Sequence, residues 1–400
     1  MQPQDSSNAG VAFGVNLSNS SRRQLTMRLA RATLPLLLFT TLLAAPVRGL
    51  LAADKVGPDP AAVKETATKG VKYLQSAQAA DGTWTSPQQP GVTALCLYGL
   101  LKSGVDPADE GIQKGLKYLE GLQQKDGGIY REGTFHKNYE TAIALMAFQA
   151  ANKDGKYDKL VATAADFLRG IQWGGADKTE KSEVPYGGAG YGKSARPDLS
   201  NTTFFLEALK ASGAKSDDPA VQKALVFVSR CQNLESEHNT TPHASKVNDG
   251  GFYYTVAAGG SSQAGANPDG GLRSYASMTY AGLKSMIYAG LKADDPRVKA
   301  ARAWIQKFYT VAENPGLEDR GLYYYYQTFA KTLDTVGDDL FEDAAGKKHD
   351  WRKELVEKLA SLQKENGSWV NKNDRWMEAD PNLSTAYALI ALSYCHPPTK

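Results

Sequence analysis

Cysteine is scarce in this sequence, and its pattern gives no closed disulfide framework. The chain has three cysteines among 400 residues, Cys96, Cys231 and Cys395. The count is odd and no two of them form a Cys-x-x-Cys pair, so neither a disulfide-stapled domain nor a thiol-redox motif is indicated. No local pattern supplies a base beside any of them, which disfavours a catalytic thiol.

Net charge is also low, and this disfavours a nucleic-acid partner. The 46 Lys and Arg residues nearly balance the 43 Asp and Glu residues, which leaves a formal net charge of +3. The sequence shows no basic block and no stripe of basic and aromatic residues, so we expect no nucleic acid as a partner. With 42% hydrophobic and 22% charged residues, the composition is that of a globular chain long enough for a large core.

Long apolar runs are confined to the N-terminal region. The run from Ala32 to Ala45 is short for a membrane span and contains Pro35. Arginines precede it and small residues follow it, which predicts an export signal over residues 1–53, cleaved near residues 49–53. The mature chain, residues 54–400, is therefore expected to be periplasmic or secreted and to contain no transmembrane segment.

Several alternatives stay open for this region. The apolar run is also compatible with an uncleaved N-terminal anchor. The stretch "SRRQLT", from Ser21 to Thr26, resembles a twin-arginine signal, so the export route stays open between that pathway and the general secretory one. Met27 is a possible true start, because the residues before it are polar.

Beyond the signal, the sequence alternates two kinds of predicted helix. The first kind is amphipathic, as in Gly111 to Gln124, where Ile112, Leu116, Leu119 and Leu122 mark one apolar stripe at helical spacing. The segments of this kind are Ala61 to Gln78, Gly111 to Gln124, Leu160 to Trp173, Pro219 to Gln232, Pro296 to Val311 and Trp351 to Lys364. The second kind has few charges and is apolar most of the way round, which is typical of a helix buried on both sides. The segments of this kind are "GVTALCLYGLLKSG", "YETAIALMAFQAAN", "NTTFFLEALKASG", "SYASMTYAGLKSMIYAGL", "YYYYQTFAKTLDTVG" and "STAYALIALSYC".

This strict alternation predicts an all-α fold, an (α/α)6 toroid formed by residues 54–400 as a single domain. Six inner helices would form a barrel and six outer helices would wrap it, because no single hairpin can bury its apolar faces alone. Glycine-rich turns such as "DGTW" and "NGSW" join the helices. A linear solenoid is the alternative, but the same glycine–tryptophan pattern in the first and last units favours a ring that closes on itself.

One phrase recurs along the chain and resembles a known family. "KGVKYLQSAQAADGTW" spans Lys69 to Trp84, and "KGLKYLEGLQQKDGGI" spans Lys114 to Ile129. Both resemble the repeat of squalene–hopene-type terpenoid cyclases, K/R-G-x-x-F/Y-L-x-x-x-Q-x-x-x-G-x-W. The matching residues are Lys69, Gly70, Tyr73, Leu74, Gln78, Gly82 and Trp84; Lys114, Gly115, Tyr118, Leu119, Gln123 and Gly127, with Ile129 in place of Trp; and Gln363, Gly367 and Trp369. The resemblance covers about residues 60–395 and implies the α/α-toroid shared with protein prenyltransferase β-subunits, without implying an activity.

We expect these repeat residues to be structural. The glutamine is expected to bond free N–H groups at the start of the next helix, and the glycine to permit a tight turn. The tryptophan is expected to stack beneath the glutamine.

Two motifs that supply chemistry in the resembling families are missing here. The cyclases use an acid from an Asp-x-Asp-Asp motif, which this sequence lacks. The nearest carboxylates are Asp338, Asp339, Glu342 and Asp343, expected in a solvated loop, and the pairs Asp217–Asp218 and Asp294–Asp295, expected to cap outer helices. The prenyltransferases hold zinc with an Asp, a Cys and a His, and no such trio is found, so no metal and no cofactor are predicted. Whether the chain is an enzyme stays open.

The starts of the inner helices supply the candidate ligand site, because in a toroid they surround one opening of the central cavity. The predicted cavity residues are Tyr139, Asn201, Tyr275, Met278, Tyr280, Tyr323, Tyr325, Gln327 and Tyr387. Tyrosine combines apolar area with a hydroxyl group, and such a lining suits a greasy or ring-shaped ligand. For each of these aromatic residues, packing between the two rings is the alternative.

Three functional hypotheses follow. The first is a non-cyclising relative of the terpenoid cyclases that binds a polyprenyl or hopanoid-like molecule in its central cavity. The second, an analogy with other α/α-barrels, is a glycan-active enzyme. Its candidate catalytic residues are Glu140, Asp269, Arg273, Asp380 and His136. The third is a scaffold that binds a protein partner through the long loop of residues 235–271, whose stretch "ESEHNTTPH" matches no standard metal-site spacing.

Overall fold

Thirteen α-helices and one short hairpin make up the part of the chain that the structure, a computed structural model, describes: residues 56–192 and 195–396. The elements are α1 (Pro60–Ala77), α2 (Pro90–Lys102), α3 (Glu110–Glu120), α4 (Lys137–Ala151), α5 (Asp158–Ile171), α6 (Leu199–Ala211), α7 (Pro219–Arg230), α8 (Ala244–Val247), α9 (Ala276–Tyr288), α10 (Pro296–Phe308), α11 (Leu322–Val336), β1 (Phe341–Glu342), β2 (Lys348–His349), α12 (Trp351–Leu362), a 3₁₀ turn (Arg375–Met377) and α13 (Pro381–Leu392). The predicted export signal over residues 1–53, its cleavage near residues 49–53 and the alternative start at Met27 lie outside the described residues.

Twelve of the described helices form two concentric rings. The inner helices contact one another in the order α2, α4, α6, α9, α11 and α13, and α13 contacts α2, so the inner ring closes. The outer helices α1, α3, α5, α7, α10 and α12 each pack on one or two inner helices. The predicted (α/α)6 toroid is confirmed, and a linear solenoid is excluded because its last inner helix would not meet its first.

Burial differs between the rings as the sequence pattern predicts. Every residue of α9 from Ala276 to Met286 is buried, so this inner helix has no solvent face. In the outer helix α3, the buried side chains are those of Ile112, Leu116 and Leu119, beside a buried Gly115. A helix with one apolar stripe packs on a single layer, whereas one that is apolar all round is enclosed by other helices.

Four glutamines connect successive outer helices round the ring. We call them the bridging glutamines: Gln78, Gln172, Gln232 and Gln363. The Nε2 of Gln78 donates to Gly82 O in its own turn (3.0 Å) and to Gly111 O in the next outer helix (2.8 Å). The other three make the same pair of bonds. These bonds tie each turn to the helix that follows it in the outer ring.

The partners of the bridging glutamines differ from the prediction. We expected N–H groups at the next helix start, but the glutamines donate to carbonyl oxygens instead. The reason is that an aspartate already accepts those N–H groups, as Asp109 does from Gly111 N at 2.9 Å and Asp218 does from Ala220 N at 2.8 Å. An aspartate at this position is a strong helix cap, so the first N–H groups of the helix already have an acceptor and do not need the glutamine oxygen.

The second copy of the repeat departs from this pattern. Gln123, which fills the glutamine position, is exposed. The neighbouring Gln124 donates instead to Leu122 O at 3.0 Å and to Tyr130 O at 2.9 Å, so its bonds stay within its own turn. This unit therefore matches the repeat in sequence but does not form the hydrogen bonds that the bridging glutamines form.

A threonine near the start of the inner helix holds the preceding turn from the other side. Thr93 Oγ1 accepts from Trp84 N at 3.2 Å, and Thr385 Oγ1 accepts from Trp369 N at 3.0 Å. Equivalent bonds are made by Thr141, Thr202 and Thr279. The indole N–H of Trp84 in turn donates to Leu74 O, 2.8 Å away in the outer helix before it.

The last bridging glutamine closes the outer ring. Gln363 Nε2 donates to Thr66 O of the first outer helix at 3.0 Å. The adjoining turn needs glycine, because Gly367 has φ +87° and an added Cβ would lie 2.4 Å from Lys69 O. At the junction of the last and first outer helices, the glutamine and glycine of the repeat thus have a structural role.

The acidic segment after α11, predicted as a solvated loop, is more ordered than expected. Its strands β1 and β2 pair antiparallel. His349 bridges the hairpin to α12, with Nδ1 2.8 Å from Glu354 Oε1 and Nε2 3.0 Å from Asp343 Oδ2. Two carboxylates around one imidazole give this segment fixed partners within the fold.

Candidate functional site

The N-terminal ends of the six inner helices surround one cavity of about 520 Å³. Each outer helix is connected to the inner helix that follows it by a turn at the same end of the ring, so the N-termini of all six inner helices meet there. The residues that represent the six helices in the lining are Gln89 for α2, His136 for α4, Ser200 for α6, Tyr275 for α9, Gly321 for α11 and Leu383 for α13. The position of the cavity therefore follows from the alternation of outer and inner helices along the chain.

Four aromatic rings form one wall of the cavity, which we call the aromatic floor: Tyr139, Phe204, Tyr324 and Tyr387. Neighbouring ring centroids are 5.1 to 6.2 Å apart, the usual range for aromatic pairs. The hydroxyls of Tyr139 and Tyr387 bond each other at 3.1 Å, and that of Tyr324 bonds Ser200 Oγ at 3.0 Å. Because these hydroxyls are paired with one another or with serine, the floor offers mainly aromatic carbon to a ligand.

Glu378 contributes a buried carboxylate to the lining. It follows the 3₁₀ turn and accepts from Tyr324 N at 2.8 Å, Tyr323 N at 3.2 Å and Asn371 Nδ2 at 2.7 Å. It thereby occupies free N–H groups at the start of α11. Burial, partly offset by these donors, raises the pKa of Glu378 to about 7.

Glu140 and Asp198 have similar positions at two other inner helices. Glu140, in the first turn of α4, accepts from Arg131 N at 2.9 Å and from Thr134 Oγ1 at 2.7 Å, and burial raises its pKa. Asp198, directly behind the lining, caps α6 by accepting from Asn201 N at 2.8 Å, and burial raises its pKa to about 6. The three buried carboxylates thus each occupy donors near a helix start.

The rim of the cavity has large exposed apolar side chains. Trp376 and Met377 both line it, are 44% and 41% exposed, and have positive φ angles of 57° and 66°. Tyr254 and Gln263 reach the cavity from the loop of residues 235–271, the segment predicted to contact a protein partner. That loop is therefore part of the cavity wall.

The structure brings five of the nine predicted cavity residues to the lining and packs the other four elsewhere. Those in the lining are Tyr139, Asn201, Tyr275, Met278 and Tyr387. Tyr280 packs against Tyr325 at 5.6 Å, and the Tyr325 hydroxyl donates to Thr310 O at 2.7 Å. Tyr323 and Gln327 are buried beside the lining rather than in it. Successive residues of a helix point about 100° apart, so of the four tyrosines that begin α11 only Tyr324 faces the cavity.

The five candidate catalytic residues do not share one cleft. Glu140 and His136 both line the cavity, and burial lowers the pKa of His136. Asp269 lies in the long loop and Arg273 just after it, both outside the lining, and Arg273 Nε donates to Asn267 Oδ1 at 2.9 Å. Asp380 caps α13 by accepting from Asn382 N at 2.7 Å.

Sequence reasoning missed the residues that define the site most clearly. Tyr324 lies within the run of four tyrosines, but its register depends on where α11 begins. Phe204 lies one turn after Asn201 on the same helix face, which is a usable signal. Glu378 follows an irregular turn, and no local pattern identifies it.

A buried ionic cluster beyond the aromatic floor was also missed. Glu207 of α6 pairs with Lys284 of α9 and with Lys331 of α11, whose Nζ lies 2.6 Å from Glu207 Oε2. Burial alone would raise the pKa of Glu207, but the two ammonium groups hold it at about 2. The cluster joins three inner helices inside the ring.

Metal clusters and membrane-spanning helices are both absent from the described ranges. Residues 56–192 and 195–396 contain no group of three or more His, Cys, Asp or Glu side chains placed to hold a metal ion. Within the same ranges, none of the helices has the length and apolar content of a membrane span.

Comparison with known proteins agrees with the repeat. Residues 86–256 match the family described as the squalene-hopene cyclase C-terminal domain. No curated protein sequence matches the chain significantly.

Solved structures of a type II terpene cyclase share the fold. A single-residue variant of MstE from Scytonema, without ligand, is 14% identical, covers 84% of this chain and 97% of its own, and superimposes with a TM-score of 0.51. A second MstE variant, in complex with its substrate geranylgeranyl dihydroxybenzoate, is 14% identical, covers 83% and 97%, and has the same TM-score of 0.51. At this identity the likeness concerns the fold alone. The predicted resemblance to the squalene–hopene cyclases is confirmed by the family match over residues 86–256, and the chain shares the α/α-toroid fold of the terpene cyclases.

Proposed function

We propose that this protein binds a hydrophobic small molecule of polyprenyl or terpenoid type in the cavity at the inner-helix starts, and that it does not cyclise it. The observation that supports binding most strongly is the aromatic floor beneath a cavity of about 520 Å³. Small-molecule sites typically have volumes of about 300–1,000 Å³, mostly apolar walls and a few polar groups. The cavity has these properties, with Glu140, Asn201 and Glu378 among its polar groups.

The likeness to MstE gives this proposal its ligand class. One MstE structure contains geranylgeranyl dihydroxybenzoate, a molecule with a long isoprenoid chain. A shared fold does not transfer an activity, because function depends on the residues of the site. The aromatic lining of this chain supports a ligand of the same general character, and its acids argue against the same reaction.

The carboxylates of the site are poorly suited to start a cyclisation. Protonation of an alkene needs a strong acid, and burial moves Glu378 in the opposite direction by raising its pKa to about 7. Both of its oxygens accept hydrogen bonds, Oε1 from Tyr324 N and Oε2 from Tyr323 N and Asn371 Nδ2. Glu140 likewise accepts a donor at each oxygen. Glu378 thus accepts from the start of α11, and Glu140 holds the loop that precedes α4.

Binding is tested by equilibrium dialysis of the exported protein against radiolabelled farnesol. We expect saturable binding of one molecule per chain. The substitution Ser200→Trp puts an indole into the lining, and we expect it to weaken binding at least tenfold. Ser216→Trp is the matched control, because Ser216 is exposed in the α6–α7 turn, and it should bind like wild type. Equal binding by all three proteins, or no binding by wild type, would contradict the proposal.

The absence of cyclisation is tested separately. Wild-type protein is incubated with farnesol and with geranylgeranyl dihydroxybenzoate, and the extracts are analysed by mass spectrometry after chromatography. We expect both compounds to be recovered unchanged. Cyclic products that form with wild type and disappear with Glu378→Gln would show that the site is a working cyclase.

We also propose that the protein is exported, since arginines, an apolar run and small residues follow one another in residues 1–53. Expression of the full chain with fractionation, followed by N-terminal sequencing, tests this. A mature N-terminus near residues 49–53 in the exported fraction is the expected result. An intact chain retained in the cytosol would contradict export.

A further inference from the structure

We propose that the hydrophobic ligand of this cavity has a cationic nitrogen, such as a substituted ammonium group. This inference rests on the proposed function and names the class of ligand. Its basis is the combination of a wall of aromatic rings with two buried carboxylates, Glu140 and Glu378, whose hydrogen-bond partners are all uncharged groups.

The aromatic rings supply the first half of the argument. Tyr139, Phe204, Tyr324 and Tyr387 pack into one continuous floor, and Tyr275 adds a fifth ring to the lining. Aromatic faces attract cations, most strongly where water is excluded, and clustered rings are a known solution for binding ammonium groups. A neutral lipid needs apolar walls but has no need for so many aromatic rings.

The charges of the lining supply the second half. Glu140 and Glu378 are 5% and 1% exposed, and their partners are backbone, hydroxyl and amide groups. The basic side chains of the lining are Arg131, which is exposed at the rim, and His136, whose pKa is lowered by burial. Buried charges are costly unless they are paired, so a ligand that brings a positive charge relieves this cost.

The helix dipoles do not cancel this preference. Each inner-helix N-terminus contributes about +0.5 of a charge, so the six together contribute about +3. Four carboxylates occupy four of these starts, and together they contribute four negative charges when ionised. They are Glu140 at α4, Asp198 at α6, Glu378 at α11 and Asp380 at α13. These carboxylates therefore offset the helix dipoles at the end of the ring that holds the cavity.

A pair of probe molecules of the same shape tests the charge alone. One is trimethyl-(6-hydroxyhexyl)ammonium, and the other is its carbon isostere, 7,7-dimethyloctan-1-ol. Their affinities for the wild-type exported protein are measured by isothermal titration calorimetry in about 0.15 M salt, which screens exposed charges. We expect the cation to bind at least tenfold more tightly than the isostere.

Two variants locate the effect. Phe204→Leu keeps an apolar side chain but removes one ring of the floor, and we expect it to weaken the cation at least threefold while changing the isostere less. Phe308→Leu, at a half-exposed outer-helix position, is the matched control and should change neither. This comparison does not depend on Glu378, whose replacement also disturbs the start of α11.

The outcomes separate this inference from the proposed function. Equal affinities, or tighter binding of the isostere, overturn the cationic ligand and leave a hydrophobic site. Tighter binding of the cation that Phe204→Leu does not reduce also overturns it, because the floor is then not involved. If neither probe nor farnesol binds, the proposed function itself has failed.

Discussion

Gln363 is the residue at which the ring closes, and its contacts lead to a prediction at the residue scale. Its Nε2 joins the last turn to the first outer helix through two hydrogen bonds. Each such bond contributes about 1 kcal/mol, and the acceptors are partly buried, so we expect Gln363→Ala to lower the free energy of unfolding by about 2 kcal/mol.

Gln123→Ala is the matched control for this substitution. Gln123 fills the same position of the repeat but is exposed, so its loss should change the unfolding free energy by less than about 0.5 kcal/mol. Urea denaturation of both variants measures the difference. Similar losses in the two proteins would mean that the bridging bonds do not hold the ring.

Glu378 gives a second prediction at this scale, a change of stability with pH. Its pKa is raised from 4.5 to about 7 in the fold, so between these pH values the folded state holds a proton that the unfolded state releases. The contribution of this group is therefore fully present below about pH 4.5 and falls as the pH rises towards 7.

The size of this pH effect follows from the rise in the pKa of Glu378. We expect the unfolding free energy of wild type to fall relative to that of Glu378→Gln by an amount on the order of 3 kcal/mol across this window. The exposed Glu365→Gln should run parallel to wild type. Denaturation at a series of pH values measures the curves, and parallel curves for wild type and Glu378→Gln would contradict a buried, titrating carboxyl.

At the scale of elements, the buried cluster joins α6, α9 and α11 and gives a third prediction. Glu207 is 7% exposed, and its partners Lys284 and Lys331 are 0% and 3% exposed. Removal of one member leaves charges buried without a partner, so we expect Glu207→Gln to cost about 3–5 kcal/mol.

Replacing all three charges provides the control. A triple variant with methionine at positions 207, 284 and 331 leaves no buried charge, and we expect its stability to be within about 2 kcal/mol of wild type. Thermal and urea unfolding compare the two proteins. A triple variant as unstable as Glu207→Gln would mean that the side chains matter for their shape, not for their charge.

The elements also show how far the sequence predicts this fold. The outer helices were predictable because one apolar stripe at helical spacing is typical of a helix that packs on a single layer, and the inner helices because they are apolar all round. The threonines that hold the turns, such as Thr93 in "VTAL" and Thr385 in "STAY", stand near the starts of the predicted inner helices. Their role could not be predicted, because it depends on a turn packing beside the inner helix.

The site was less predictable than the ring. The position of the cavity followed from the toroid, and Tyr139, Tyr275 and Tyr387 line it. The sequence could not show which of the four tyrosines near the start of α11 faces the cavity, because a shift of one residue in the helix start turns each side chain by about 100°. Glu378 could not be found, because it reaches the start of α11 from a turn more than fifty residues later in the chain.

At the scale of the whole molecule, the closed ring and the cavity depend on each other. The inner ring closes because α13 packs on α2, and the closed ring brings the starts of all six inner helices around one cavity. The cavity lining therefore takes residues from all six inner-helix starts, so a ligand inside it lies beside every unit of the repeat. We expect a bound hydrophobic molecule to stabilise the whole ring, since it binds the folded state alone.

Native mass spectrometry of the purified protein decides whether the cavity holds a ligand. We predict a second mass peak above that of the chain, which corresponds to one hydrophobic small molecule per protein and is absent from Ser200→Trp but present in Ser216→Trp. The contradictory result is a wild-type protein that shows only the mass of the chain, both as purified and after saturation with farnesol.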